Sequence, residues 1–126
     1  MKKTTVLILI ALLSASVVMA SSVTKDVVGD GNWTDPLSVE KGASVNVSIS
    51  DFNATTDMTI TLQRKLPGDS DWGRYVESWD VTGSTAGVEA ITEPEAEHAV
   101  QYRLGCDAAG DYSSGNCTCR LGGGRK

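Results

Sequence analysis

Val45-Asn46-Val47-Ser48-Ile49-Ser50 alternates apolar and polar residues at every step. A period of two puts Val45, Val47 and Ile49 on one face of a strand and Asn46, Ser48 and Ser50 on the other. The same alternation returns along the chain. Met58, Ile60 and Leu62 alternate with Thr59, Thr61 and Gln63; Val100, Tyr102 and Leu104 with Gln101 and Arg103; Cys117, Cys119 and Leu121 with Thr118 and Arg120. Shorter runs lie at Val23 to Val28, Leu37 to Val39, Arg74 to Val81 and Val88 to Thr92. In Arg74 to Val81 the phase is ambiguous: Tyr75, Trp79 and Val81 share one face, and Val76 points to the other.

Turn chemistry separates these runs at Gly29-Asp30-Gly31-Asn32, Lys41-Gly42, Asp51-Phe52-Asn53, Pro67-Gly68-Asp69 and Gly110-Asp111. Turns recurring every 8 to 12 residues or so are those of an antiparallel sandwich or barrel. The expected fold is therefore all-β, a single antiparallel β-sandwich of seven or eight strands. Immunoglobulin-like, fibronectin-type and jelly-roll-like arrangements all fit the pattern. No helical periodicity follows Ala20, and Glu93-Pro94-Glu95-Ala96-Glu97 reads as a loop leading into a strand. Trp33, Trp72 or Trp79 would supply the large members of a modest core.

The chain has 126 residues, enough for one domain. Met1-Lys2-Lys3, the apolar run Val6 to Leu13 and Val18-Met19-Ala20 have the layout of a secretory signal peptide cleaved after Ala20. The apolar stretch is too short for a membrane span and is broken by Ser14 and Ser16. This reading divides the chain into a signal peptide at 1–20, a sandwich at 21–121 and a flexible Gly-rich tail at 122–126. The expected location is the periplasm, the cell surface or the medium. Cleavage removes two of 11 basic residues and none of 16 acidic ones, which leaves a net charge of −7. An acidic chain of this kind disfavours nucleic acid as a partner. No membrane span is expected after cleavage.

Cys106, Cys117 and Cys119 are the three cysteines, and disulfides persist in an exported protein. A bond from Cys106 to Cys117 or to Cys119 would clip a hairpin and leave one thiol over. Cys117 and Cys119, two apart on a strand, point the same way and pair poorly with each other. Three cysteines with His98 as a distant fourth ligand lack the paired spacing of a zinc site. Asp30-Gly31-Asn32-Trp33-Thr34-Asp35 starts like a calcium loop, but Asp35 and Lys41 stand where an EF-hand needs Gly and Glu. No metal and no cofactor are expected.

His98 is the single histidine, and no nucleophile-elbow pattern accompanies it. The acidic clusters Asp69-x-Asp71 and Glu93-x-Glu95-x-Glu97 read as solvated edges, so enzymatic activity is not expected. All four asparagines, Asn32, Asn46, Asn53 and Asn116, lie in Asn-x-Ser/Thr sequons and are candidate glycan acceptors. An exposed strand face rich in Asn, Ser and Thr produces the same pattern, and that reading is favoured. Trp33 and Trp72, each beside a turn, are candidate ligand-surface residues; the ordinary reading of both is a core or edge plug.

Several blocks carry a resemblance: Gly31-Asn32-Trp33-Thr34-Asp35, Val45-Asn46-Val47-Ser48-Ile49, Thr59 to Arg64 followed by Gly68-Asp69-Ser70-Asp71-Trp72, Glu93-Pro94-Glu95 leading to Tyr102-Arg103-Leu104, and Gly110 to Gly115 leading to Arg120-Leu121. In this order they resemble small immunoglobulin-like or fibronectin-type β-sandwich proteins of tailed, often marine, bacteriophages. Those proteins are virion-associated or uncharacterised, and the resemblance spans residues 29–122. It implies a structural module and carries over no catalytic residue. The leader and the cysteines depart from a virion protein assembled in the cytoplasm and favour a secreted or surface relative.

The expectation is a non-enzymatic exported module, a subunit or decoration of a virion or extracellular surface assembly. Its partners would be other protein subunits, a second copy of the chain among them. Val23, Lys25, Val27 and Val28, just after the cleavage site, form the candidate self-assembly strand. The alternative is a secreted carbohydrate-binding or adhesive module with surface polysaccharide as its partner.

Overall fold

A computed structural model describes residues 22–123 of the chain. The signal-peptide reading of residues 1–20 lies outside the described residues, as do residues 124–126. Nine strands follow one another: β1 (Ser22–Val27), β2 (Leu37–Val39), β3 (Val45–Ser50), β4 (Asp57–Lys65), β5 (Arg74–Thr82), β6 (Val88–Ile91), β7 (Val100–Gly105), β8 (Tyr112–Ser114) and β9 (Cys117–Gly123). They form two antiparallel sheets packed face to face, a β-sandwich with no helix among the described residues. One sheet has the order β1-β9-β3-β6. The other has the order β2-β7-β4-β5, and β8 pairs with the start of β4.

The alternating runs fold with the polarity that their pattern dictates. Val45, Val47 and Ile49 on β3 and Cys117, Cys119 and Leu121 on β9 point inward from the first sheet. Met58, Ile60 and Leu62 on β4 and Val100, Tyr102 and Leu104 on β7 meet them from the second. Val27, Leu37, Val39, Val81 and Cys106 close the core. Burying these side chains excludes apolar surface from water and is the main favourable contribution to folding.

Four expectations change. There are nine strands among the described residues, because Tyr112–Ser114 finds a partner in Met58 and Asp57 beyond the end of β7. The last strand runs through Gly122 and Gly123, placed above in the tail: Gly122 pairs with both Ser22 and Asn46, so backbone bonds hold a segment without side chains. No tryptophan belongs to the fully buried core. Tyr102 is its only aromatic member, and Trp79 packs against its rim.

The fourth change is the phase of β5. Leu62 faces Glu77 while Gln63 faces Tyr75, so Val76 is an extra residue in the ladder. This bulge reverses the alternation. Trp79 and Val81 turn inward as expected, but Val76 packs against the core and Tyr75 is 63% exposed.

Candidate functional site

Gln63 on β4 and Arg103 on β7 are directly opposite each other on the outer face of the second sheet. Gln63 Oε1 accepts two hydrogen bonds from Arg103, from Nε at 3.0 Å and from Nη2 at 2.8 Å. Gln63 Nε2 donates to Asp107 Oδ2 at 3.4 Å. The glutamine thereby fixes the plane of the guanidinium. Two indoles lie close to the guanidinium, with Arg103 Cζ 4.0 Å from the Trp33 ring centroid and 4.9 Å from that of Trp72. Lys65 Nζ stands 5.9 Å from the same Trp72 ring. Arg103 thus lies within cation–π reach of two indoles, and Trp72 within reach of two cations. Each contact is an attraction between a positive charge and the negative face of an aromatic ring. Gln63, though polar, is only 8% exposed beneath this cluster. Partial burial lowers the pKa of the Arg103 guanidinium, and the charge of Asp107 acts the other way.

Local backbone geometry delivers each tryptophan. The segment from Gly31 to Thr34 runs alongside the end of β7. Gly31 N donates to Cys106 O, Cys106 N to Asn32 O and Thr34 N to Leu104 O. Thr34 Oγ1 accepts from Leu104 N at 3.1 Å. This short ladder, with Trp33 bridged to Gly105, sets the first indole over the sheet. Gly105 has to be glycine, since a Cβ there would overlap the Asn32 carbonyl oxygen.

Trp72 comes from the β4–β5 connection. Asp69 organises that loop: its Oδ2 accepts from Leu66 N at 2.9 Å and from Arg74 Nε at 2.6 Å, and its Oδ1 accepts from Arg74 Nη2 at 3.1 Å. These bonds, the one from Arg74 foremost, lower the Asp69 carboxyl from 3.8 to about 2. Gly68 takes the left-handed turn, with φ of 90°. A shallow groove lined by Ser38, Lys65, Leu66, Asp69, Val100 and Gln101 lies beside this loop. Ser38, Gln101 and Lys65 form one row across β2, β7 and β4 on the face that carries the cluster.

Trp33 and Trp72 are thus brought together, both half-buried, through Arg103, which in the sequence is a polar position of an alternating strand. Arg103 and Gln63 were missed. Their signal was present in two outward polar positions on neighbouring long strands, but their pairing depends on register.

The other candidates are scattered. Val23, Lys25 and Val27 lie on β1, which pairs with β9 along its whole length, from Ser22 opposite Gly122 to Val27 opposite Cys117. That is the placement of an ordinary first strand; Val28, just past it, is exposed. Asn32 Oδ1 accepts from Val28 N, and Asn53 Oδ1 from Thr55 N, Thr55 Oγ1 and Thr56 Oγ1. Asn46 is exposed on the outer face of β3, and Asn116 is exposed between β8 and β9. His98 Nδ1 lies 3.5 Å from Glu95, which also approaches Arg64 at 3.8 Å.

Cys106, Cys117 and Cys119 are free thiols, all buried, so the expected clip from Cys106 is absent from the structure. Cys106 ends the inner face of the second sheet, while Cys117 and Cys119 lie on the inner face of the first. Cys106 Sγ contacts Asp30 Oδ1 at 3.6 Å. Burial and the nearby Asp30 charge push this thiol up to about 12. Among the described residues no group of three His, Cys, Asp or Glu side chains is placed to hold a metal, and no helix is long and apolar enough to cross a membrane. No protein-family model and no curated protein matches this chain.

Proposed function

We propose that this chain is a non-enzymatic exported module, a subunit or decoration of a virion or extracellular surface assembly, and that it docks through the outer face of its larger sheet. The observation that carries this reading is the Trp33–Arg103–Trp72 cluster, fixed by Gln63 on the two adjoining strands β4 and β7. Aromatic and arginine side chains are the residues that most often anchor protein interfaces. Here they are held rigid before any partner arrives, which lowers the ordering cost of binding. The groove beside Lys65 and Gln101 continues the same face. Because β1 sits in its own sheet, face packing is favoured over strand donation between subunits.

A second reading, a carbohydrate-binding or adhesive module, is favoured by one observation: two indoles and the polar groups of Gln63, Arg103 and Asp107 share a small area, and sugars are held by such combinations.

Size-exclusion chromatography with light scattering on the purified mature chain tests the first reading. A homogeneous oligomer that Arg103→Glu disperses supports face packing. An oligomer indifferent to that change moves the contact elsewhere. For the second reading, a monomer whose tryptophan fluorescence is quenched by an added polysaccharide, with the response lost in Trp72→Ala, supports sugar binding. A monomer with no such response counts against both.

A further inference from the structure

Three sulfur atoms meet inside the sandwich. Cys117 Sγ lies 3.6 Å from Met58 Sδ and 4.0 Å from Cys119 Sγ. An ion with metal–sulfur bonds near 2.3 Å holds its ligand sulfurs about 3.8 Å apart in a tetrahedron and about 4.0 Å apart in a trigonal plane. The two separations from Cys117 lie close to two edges of such a coordination polygon. The alternating pattern makes this possible: Cys117 and Cys119 project from the same face of β9, and Met58 projects toward them from β4 in the opposite sheet. The geometry points to a soft-metal site formed by Cys117, Cys119 and Met58, and its ion is Cu(I).

The donor set makes the choice of ion. Two thiols and a thioether are soft donors that suit Cu(I) and zinc, and a three-donor set with a thioether falls short of the four Cys, His or carboxylate ligands of a structural zinc site, which leaves Cu(I). All three side chains are at least 97% buried, so the site is dry and shielded. Access is short all the same. Met58 follows exposed Asp57, and Cys117 follows exposed Asn116, so the trio lies just beneath the end of the sandwich covered by β8. Loading breaks the two S–H bonds and forms two thiolate–copper bonds and one thioether–copper bond. Two protons leave to solvent, and nothing is oxidised or reduced. Because protons are released, affinity rises with pH. This inference is independent of the docking face proposed above.

The test is competition for Cu(I) between the reduced full mature chain, kept free of oxygen, and the coloured chelator bathocuproine disulfonate. The chain is expected to take about one equivalent from the chelator. Met58→Leu, which keeps volume and apolarity, is expected to weaken retention by about tenfold or more. Cys119→Ser is expected to abolish it, and Cys106→Ser to leave it unchanged. X-ray absorption at the copper edge should show a shell of sulfur only. Circular dichroism checks that each variant is folded; if Cys119→Ser is not, Met58→Leu carries the test. Failure to take copper from the chelator, binding indifferent to Met58→Leu, or binding that depends on Cys106 would each overturn the assignment. So would oxidation of Cys117 and Cys119 to a disulfide in preference to copper binding.

Discussion

At Arg103 one guanidinium engages Gln63, Trp33 and Trp72 together. Arg103→Ala leaves a buried amide oxygen without its donors and removes two cation–π contacts, so it should cost about 2 kcal/mol or more in urea denaturation. Arg103→Lys should recover less than half of that loss, because an ammonium cannot offer a planar pair of donors beside two rings. Cys106 gives a second prediction at this scale. Its thiol is pushed up to about 12 by burial and by Asp30. The thiolate is the reactive form, so at pH 8 native Cys106 should resist iodoacetamide and react only as the chain unfolds. Mass spectrometry of the alkylated peptides reads this directly. Neither residue's role was legible in the sequence. Arg103 appeared only as an outward position on a strand, and Cys106 as the hub of a disulfide. The first depends on a cross-strand register, and the second on which sheet each thiol faces.

Among the elements, the edge segment of Gly31 to Thr34 and the β4–β5 loop decide where the tryptophans sit. Gly105→Ala would drive a Cβ into Asn32 and to 2.8 Å from the Trp33 Cα. A loss of about 1–3 kcal/mol is expected, with a red-shifted tryptophan emission as Trp33 leaves the cluster. The loop depends on Asp69, whose folded pKa is lowered to about 2. A lowered carboxyl contributes order that is present above the unfolded value of 3.8 and is lost as pH falls through about 2. The Asp69 carboxyl signal in NMR should therefore titrate near 2. The emission change that accompanies it, from Trp72, should be missing in Asp69→Asn. The bulge at Val76 belongs to this scale too. Sequence alternation could see that the phase of β5 was mixed, but only its pairing with β4 shows Val76 as the inserted residue.

For the whole molecule, both sheets share one core, so a cavity on either side should weaken the entire fold. Leu121→Ala, from the centre of β9, should cost about 2–5 kcal/mol. Tryptophan emission, which reports largely on the second sheet, and far-ultraviolet dichroism should follow one common transition. Separate transitions would show that the sheets fold apart. The sequence by itself determined the all-β class, the inward and outward residues of β3, β4, β7 and β9, and most of the turns. It could do so because alternation and turn chemistry are local, acting within a few residues of chain. Only the tertiary structure decided that β9 enters between β1 and β3, that the glycines at 122 and 123 complete a strand, and that no tryptophan fills the core. It also decided which distant side chains meet: Trp33, Gln63, Trp72 and Arg103 on one face, and Met58, Cys117 and Cys119 inside. Those meetings depend on register and on the pairing of strands remote in sequence, and no local pattern of residues encodes either.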